Sequence, residues 1–279
     1  MTGTLYVVAT PIGNLADASP RSVETLRAAD LIACEDTRTT RTLLTRYGIS
    51  GRTVALHEHN ERTAAKSLLE ALRQGKNVAL VSDAGTPALA DPGAWLVAEA
   101  HRAGIAVSPI PGPSAAAAAV SASGFVASRF LFAGFLPAQA AARRKALEAL
   151  ELPWPVVFYE APHRIAATLQ DLLERFGPER EIVIARELSK KFEEVARMPL
   201  AHAAGWLQAR AHRDQGEFVL VLAPGEERSS HELEADHVLK ILLEALAPSE
   251  AAKLAARITG LPKGALYRKA LLRTKSGAK

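Results

Sequence analysis

Three stretches of the chain place acids beside bases directly after an apolar run: Cys34-Glu35-Asp36-Thr37-Arg38, Glu160-Ala161-Pro162-His163-Arg164 and Arg186-Glu187-Leu188-Ser189-Lys190-Lys191. Such groups either bridge one another at the surface or handle a proton next to an anionic substrate. Three other stretches, Thr10–Leu15, Ser82–Pro87 and Pro111–Ala115, are built from Gly, Pro, Ser and Thr. Glycines such as Gly13 and Gly85 allow positive φ and a close approach of backbone to a ligand. Ser114 precedes a run of alanines, where helix-start N–H groups and the hydroxyl suit a carboxylate or a ribose oxygen. Asp83 offers an acceptor for an amine or a ribose.

Several chemistries are excluded. The first apolar run is not followed by G-x-G-x-x-G, and the chain lacks both the G-x-x-x-x-G-K-[ST] phosphate loop and the G-x-S-x-G nucleophile elbow. Cys34 is the only cysteine, so a disulfide framework and a multi-cysteine zinc site are both ruled out. His57 and His59 flank Glu58 without a third recognisable ligand, and no metal site is expected.

The elements that must carry these stretches alternate. Apolar runs at Leu5–Ala9, Leu31–Cys34, Val78–Val81 and Ala106–Ile110 read as strands. Between them run helical stretches opened by Ser19-Pro20, Asn60 and Asp91-Pro92. This predicts an α/β layer with a mostly parallel sheet over residues 1–114. Ligands of such sheets bind beyond the carboxyl ends of the strands, where Thr10–Leu15, Ser82–Pro87 and Pro111–Ala115 fall. A second α/β unit is expected over 115–224, with a small-residue helix at Ala115–Ser123. Its strands are Phe130–Ala133, Val156–Tyr159, Ile182–Ala185 and Glu217–Leu222, and its helices include Ala138–Leu150 and Leu200–His212. Beyond a polar Pro224–Ser230 linker, helices at Asp236–Leu246, Ser249–Thr259 (Ser249 as N-cap) and Pro262–Arg273 make a helix-turn-helix-like module over 231–279.

Composition agrees with a globular protein: of 279 residues, 48% are hydrophobic and 23% charged. No apolar run is long enough to span a membrane, and the first residues make a poor signal peptide. A reducing cytoplasm is the expected location. Net charge is +4, yet Ala251–Lys279 holds eight Lys or Arg and no Asp or Glu, leaving −4 on the first 250 residues. An acidic body with a basic tail points to an anionic partner for the tail.

The ordered series Leu5-Tyr6-Val7-Val8-Ala9-Thr10-Pro11-Ile12-Gly13-Asn14-Leu15, Glu35-Asp36-Thr37-Arg38, Ser82-Asp83-Ala84-Gly85-Thr86-Pro87, Pro111-Gly112-Pro113-Ser114-Ala115, Phe158-Tyr159-Glu160-Ala161-Pro162-His163-Arg164 and Ala185-Arg186-Glu187-Leu188-Ser189-Lys190 resembles the small-subunit ribosomal RNA methyltransferase I family of the tetrapyrrole methylase superfamily. The tail from Ala252 to Tyr267 is similar to that family's helix-turn-helix-like end. The resemblance implies two α/β domains with S-adenosylmethionine in the cleft between them. It implies methylation of a cytidine ribose 2′-oxygen in the decoding region of 16S ribosomal RNA, within the small subunit, by a homodimer. Carried over by position, cofactor contacts fall on Pro11, Asp83, Gly85, Thr86, Ser114, Ala115 and Tyr159, with backbone near Arg186 and Glu217.

For proton handling at a ribose hydroxyl, Glu35 or Asp36, with Glu187 and Lys190, are the expected catalytic groups. Arg38, His163, Arg164 and Arg186 are expected on RNA phosphates, joined by Lys253, Arg257, Lys263, Arg268 and Lys269 of the tail. Two alternatives stand beside this reading: a tetrapyrrole or other small-molecule methyltransferase of the same superfamily, and a helix-turn-helix regulator that uses the α/β body as a ligand sensor.

Overall fold

The computed structural model describes residues 2–126, 128–225 and 230–276, the side chains of 230–234, 236 and 272–276 excepted. The first half runs β1 (Thr4–Val8), α1 (Pro20–Ala28), β2 (Leu31–Cys34), α2 (Thr37–Arg46), β3 (Thr53–Ala55), α3 (Glu61–Arg73), β4 (Val78–Val81), α4 (Ala94–Arg102) and β5 (Ala106–Ile110). Its strands pair in the order β3-β2-β4-β1-β5, every pair parallel. All four residues of β4 are buried, as expected for a strand covered on both faces. Val78 and Leu80 join Leu5, Leu68, Leu72 and Leu96 on one face. Ala79 and Val81 join Val8, Leu26, Ile32 and Leu43 on the other, the two-residue alternation of a strand.

The second half runs α5 (Ala115–Ser123), β6 (Leu131–Phe135), α6 (Ala140–Glu148), β7 (Val156–Glu160), α7 (Ile165–Phe176), β8 (Glu181–Arg186), β9 (Glu194–Pro199), α8 (Leu200–Gln208) and β10 (Phe218–Leu222). Its sheet order is β6-β7-β10-β8-β9. Phe158, Ile182, Ile184, Phe218 and Leu220 bury one face. The opposite face, with Val157, Val183, Val219 and Val221, packs on Ala116 and Ala119 of α5. Helix α5 therefore belongs to this sheet, and small side chains suit it because the sheet lies close.

This second sheet is mixed where plain alternation of strands and helices suggests a parallel one. β6 and β7 are parallel, but β10 runs antiparallel to both β7 and β8, and β9 antiparallel to β8. Strands β3 and β9 are absent from the sequence reading, and the expected helix to His212 stops at Gln208. Both strands lie at sheet edges, and β9 mixes charged with apolar residues, so neither carries a buried-strand signal. Asn60 stands at the N-cap of α3 as expected, but its Oδ1 accepts from the amide of His57 and not from α3; one expected cap moves, because α4 begins after Gly93, past Asp91-Pro92.

Residues Met1–Pro224 form one compact unit and Gly225–Lys279 another. The second contains α9 (Ser230–Leu243), α10 (Pro248–Thr259) and α11 (Lys263–Ser276). These pack on Ala235, Leu239, Ala251, Ala255, Leu266 and Ala270. Helix α9 starts six residues before the expected Asp236. Ala247 is the N-cap of α10 in place of Ser249, because Pro248 takes the first helical position. Gly260 ends α10 at φ 73° and turns the chain toward α11. Of the expected linker, residues 226–229 lie outside the described residues. Among the described residues, no helix is long and apolar enough to cross a membrane.

Candidate functional site

Strands β4, β1 and β5 are neighbours, so the stretches following them meet at one sheet edge. Thr10 and Gly85 exchange backbone hydrogen bonds, Thr10 N to Gly85 O at 2.8 Å and Gly85 N to Thr10 O at 3.1 Å. The Thr10 hydroxyl adds a bond to Ser82 O at 3.2 Å. Thr86 Oγ1 donates to Pro113 O at 3.2 Å, tying the β4 loop to the β5 loop. Gly85 has φ 81°, and a Cβ there would stand 3.4 Å from Ile12 Cγ2. Gly112 is needed for another reason: a Cβ would come within 2.9 Å of Ala9 Cβ. Ser114 caps α5 through a bond from the amide of Ala117.

Between this edge and the second sheet lies a cleft of about 310 Å³. Its first wall contains Ile12, Asp83, Gly85, Thr86, Leu89, Asp91, Ser114 and Ala115. Its second contains Phe135, Tyr159, Glu160, Ala161, Pro162, Ala185, Leu188, Glu217, Phe218 and Val219. Tyr159 is packed edge-on by Phe132 at 4.8 Å and Phe135 at 5.7 Å. Burial raises its phenol pKa against a hydrogen bond to the Ala116 backbone. Of the residues expected at a cofactor, Asp83, Gly85, Thr86, Ser114, Ala115 and Tyr159 all line the cleft, whereas Pro11 is buried and does not.

The expected catalytic groups separate into two clusters at the rim, and none lines the cleft itself. The first is acidic. Asp36 N donates to Asp83 Oδ1 at 3.0 Å. The Asp36 carboxylate caps the amide of Arg38 and pairs with its guanidinium at 2.8 Å. Those hydrogen bonds hold its pKa at about 2, so it is a poor base. The Glu35 carboxyl is pushed up, first by burial and then by Asp91, Asp83 and Asp36. Burial likewise raises Asp91.

The second cluster lies on the opposite half. Lys190 Nζ bonds Glu187 Oε1 at 2.9 Å and Glu217 Oε2 at 3.0 Å, and the Glu217 amide also donates to Glu187 Oε1. Burial favours the neutral forms of Glu187 and Lys190. These bonds outweigh it, lowering the Glu187 pKa and raising that of Lys190. The loop carrying this cluster reaches across the cleft. Ser189 Oγ accepts from Asn14 N at 2.9 Å and donates to Asp17 Oδ2 at 2.8 Å. A Cβ on Gly13 would overlap Lys190 Cγ at 2.4 Å.

The residues expected on RNA phosphates also divide. Arg38 is exposed, its side chain 88% accessible, and His163 is exposed. Arg186 is not available for a phosphate. It is buried, and its guanidinium donates to Gln215 O, His212 O and Phe192 O at 2.7, 2.8 and 3.2 Å. Arg164 is similarly occupied, bonding Leu136 O and Pro137 O and pairing with the fully buried carboxylate of Glu160. Both correct the expectation in the same way: a cation at a strand end holds neighbouring backbone in place. On the C-terminal unit Lys253, Arg257, Lys263 and Arg268 are exposed and Lys269 is half-buried.

The sequence reading missed Leu89, Asp91 and Phe135. Leu89 reaches the cleft between Ala88 and Ala90, which hold φ 64° and 66°, and no signal marks alanines in that conformation. Asp91 reads as a helix opener. Phe135 is brought to the cleft by a register shift between Phe132 and Gly134, a bulge signalled only by Gly134.

Two sheets of these orders sharing one cleft define the tetrapyrrole methylase class of fold. Solved structures with the same fold include the methyltransferase CobJ (TM-score 0.60, 20% identity, 82% of this chain and 97% of that one). Diphthine synthase matches at TM-score 0.60 and 19% identity, covering 79% of this chain and 90% of that one. A Thermus thermophilus uroporphyrin-III C-methyl transferase complexed with S-adenyl homocysteine matches at TM-score 0.53 and 18% identity, over 80% and 98%. The family model for Tetrapyrrole (Corrin/Porphyrin) Methylases matches residues 4–204, and that for the RsmI C-terminal HTH domain matches 229–274. Curated relatives named ribosomal RNA small subunit methyltransferase I include one from Pseudomonas aeruginosa, 48% identical over 97% of this chain and 98% of that protein. One from Mesorhizobium japonicum is 49% identical over 96% and 91%. The chain belongs to this ribosomal RNA small subunit methyltransferase I family of tetrapyrrole methylases.

Proposed function

We propose that the chain transfers a methyl group from S-adenosylmethionine to the 2′-oxygen of a cytidine in the decoding region of 16S ribosomal RNA. The observation that carries this is the cleft itself, placed by the fold at the strand ends in a chain related along nearly its whole length to ribosomal RNA methyltransferases. When bound, S-adenosylmethionine supplies an electrophilic methyl carbon on a cationic sulfur. The cleft fits it: the backbone at Gly85 is open to close approach, Asp83 and Asp91 suit an amine or ribose hydroxyls, and Leu89, Phe135 and Val219 provide apolar wall.

The remaining work belongs to the chain. Tyr159, Phe135 and Leu188 exclude water from the reacting atoms. Thr86, Ser114 and Asp83 fix the donor, so that the acceptor oxygen need only be aligned with the methyl carbon. A ribose hydroxyl is a weak acid. Glu217 lines the cleft with its side chain 75% accessible, and it accepts that proton. Lys190, held cationic beside it, stabilises the charge developing on the oxygen. Glu187 positions Lys190, and Glu35 and Asp36 shape the acidic rim. Arg38, His163 and the cations of α10 and α11 meet RNA phosphates. The acceptor is the nucleotide within the small ribosomal subunit, in the cytoplasm, and the active species is a homodimer.

The test is transfer of labelled methyl to small subunits lacking the modification, with the nucleotide mapped. Label on one cytidine ribose is expected. Label on a base, on another nucleotide class or only on a tetrapyrrole acceptor overturns the reading.

A further inference from the structure

A second groove, of about 640 Å³, opens on the same half of the molecule between residues 191–194 and 210–215. Arg186 builds it: its three bonds to the carbonyls of Phe192, His212 and Gln215 fasten both loops as walls. Phe192 stands on one wall 64% exposed, with Lys191 Nζ 5.5 Å from its ring centre. Arg213 is locked against the Trp206 ring at 4.2 Å and on Glu194 at 2.9 Å, while Arg210 reaches the same carboxylate with its side chain 71% accessible. The lining cations are Arg186, Lys191, Arg210 and Arg213, and the carboxylates Glu193 and Glu194, four against two for a net of +2. Glu193 is engaged by the amide of Ser189. This is a cationic groove with an exposed aromatic on a body whose first 250 residues carry −4.

We propose that this groove binds a single-stranded segment of the RNA acceptor, one base stacking on Phe192 and the adjoining phosphates meeting Lys191 and Arg210. Stacking on an aromatic inside a basic groove is how proteins hold unpaired nucleotides without reading their sequence. The groove adjoins the second wall of the cleft through two chain segments. Leu188 lines the cleft and Phe192 the groove, four residues apart and so at most about 14 Å along the chain. Glu217 and Gln215, two residues apart, repeat the relation on the second segment. A ribose presented to the cleft thus has its neighbouring nucleotides at the groove. The inference rests on the ribosomal RNA acceptor proposed above and adds where the flanking strand lies.

The experiment compares Phe192→Ala, Phe192→Leu and Phe192→Trp in the full chain, with small subunits lacking the methyl group as acceptor. Readouts are KM for subunits, kcat, S-adenosylmethionine affinity and molecular mass in solution. Phe192→Ala is expected to raise KM by roughly 5- to 150-fold, the worth of one stacked base, with kcat and donor affinity unchanged. Phe192→Trp restores KM and Phe192→Leu does not. Lys191→Gln lowers the slope of log affinity against log salt by about 0.7, the value for one phosphate of a single strand. Unchanged KM in Phe192→Ala overturns the assignment, as does full rescue by Leu. A fall in mass with KM unchanged makes the face an interface between copies and overturns it too. A wild-type chain that methylates no ribosomal RNA removes the function proposed above, whereas failure of the Phe192 series alone removes only the groove.

Discussion

Ser189→Ala deletes a hydroxyl that joins parts of the chain 175 residues apart. Its Oγ accepts from the Asn14 amide at 2.9 Å and donates to the Asp17 carboxylate at 2.8 Å. A neutral hydrogen bond contributes about 0.5–1.5 kcal/mol net and one to a charged group about 1.5–3. Both bonds here are open to solvent, so the lower ends apply, and their sum is about 2 kcal/mol. That corresponds to about 30-fold in the equilibrium between joined and separated walls of the cleft. Alanine at φ 64° has the same backbone strain as serine, so the change isolates the bonds. If the donor binds only between joined walls and the walls of the free chain are mostly apart, its dissociation constant rises by a factor of this order. Calorimetric titration with S-adenosylmethionine measures it, and hydrogen exchange at the Asn14 amide reports opening. Faster exchange at Asn14 with donor affinity unchanged refutes the argument, because the bond would then open without affecting the cleft.

Asp83→Ala should weaken S-adenosylmethionine binding by roughly 10- to 150-fold, the worth of one charge-assisted hydrogen bond, with KM for subunits little changed; equal donor affinity in calorimetry counts against its placement. Gly216→Ala forces φ 92° on an L-residue and sets a Cβ 2.6 Å from Glu187 Cδ. It should cost about 1–3 kcal/mol in chemical denaturation and lower kcat by disturbing Lys190. The Glu187 carboxyl has its pKa lowered from 4.5 in the folded chain. Its stabilisation is therefore present above that value and lost as pH falls through the folded pKa. Wild type and Glu187→Gln should differ in stability at neutral pH and converge in acid; a difference constant with pH rules this out. A chain ending at Pro224 should keep donor affinity and lose affinity for subunits, measured by sedimentation.

The loops after β1, β4 and β5 were legible because Gly, Pro, Ser and Thr are concentrated where parallel strands must end, and because parallel pairing brings those ends together. Residues whose placement depends on backbone detail were not. Leu89 enters the cleft only because two alanines take positive φ, and Phe135 only because a bulge shifts the register of β6. Arg186 was legible as a chemically active type at a strand end, but its three carbonyl partners come from loops 6, 26 and 29 residues away. No local pattern records that choice over a phosphate. Strand β10 reads as an apolar run in either direction, so its reversal between β7 and β8 is a tertiary fact.

That reversal has an evolutionary side. Because β10 runs against its neighbours, its beginning, and not its end, lies at the cleft, and the stretch before it, residues 209–217, leads into that wall. The loops after β1, β4 and β5 supply the facing wall. Lengthening or recolouring this one connection therefore reshapes one wall of the cleft while leaving the loops of the other in place. Loops tolerate such change where buried strands do not, so the topology leaves this wall free to differ without disturbing the sheets that frame it.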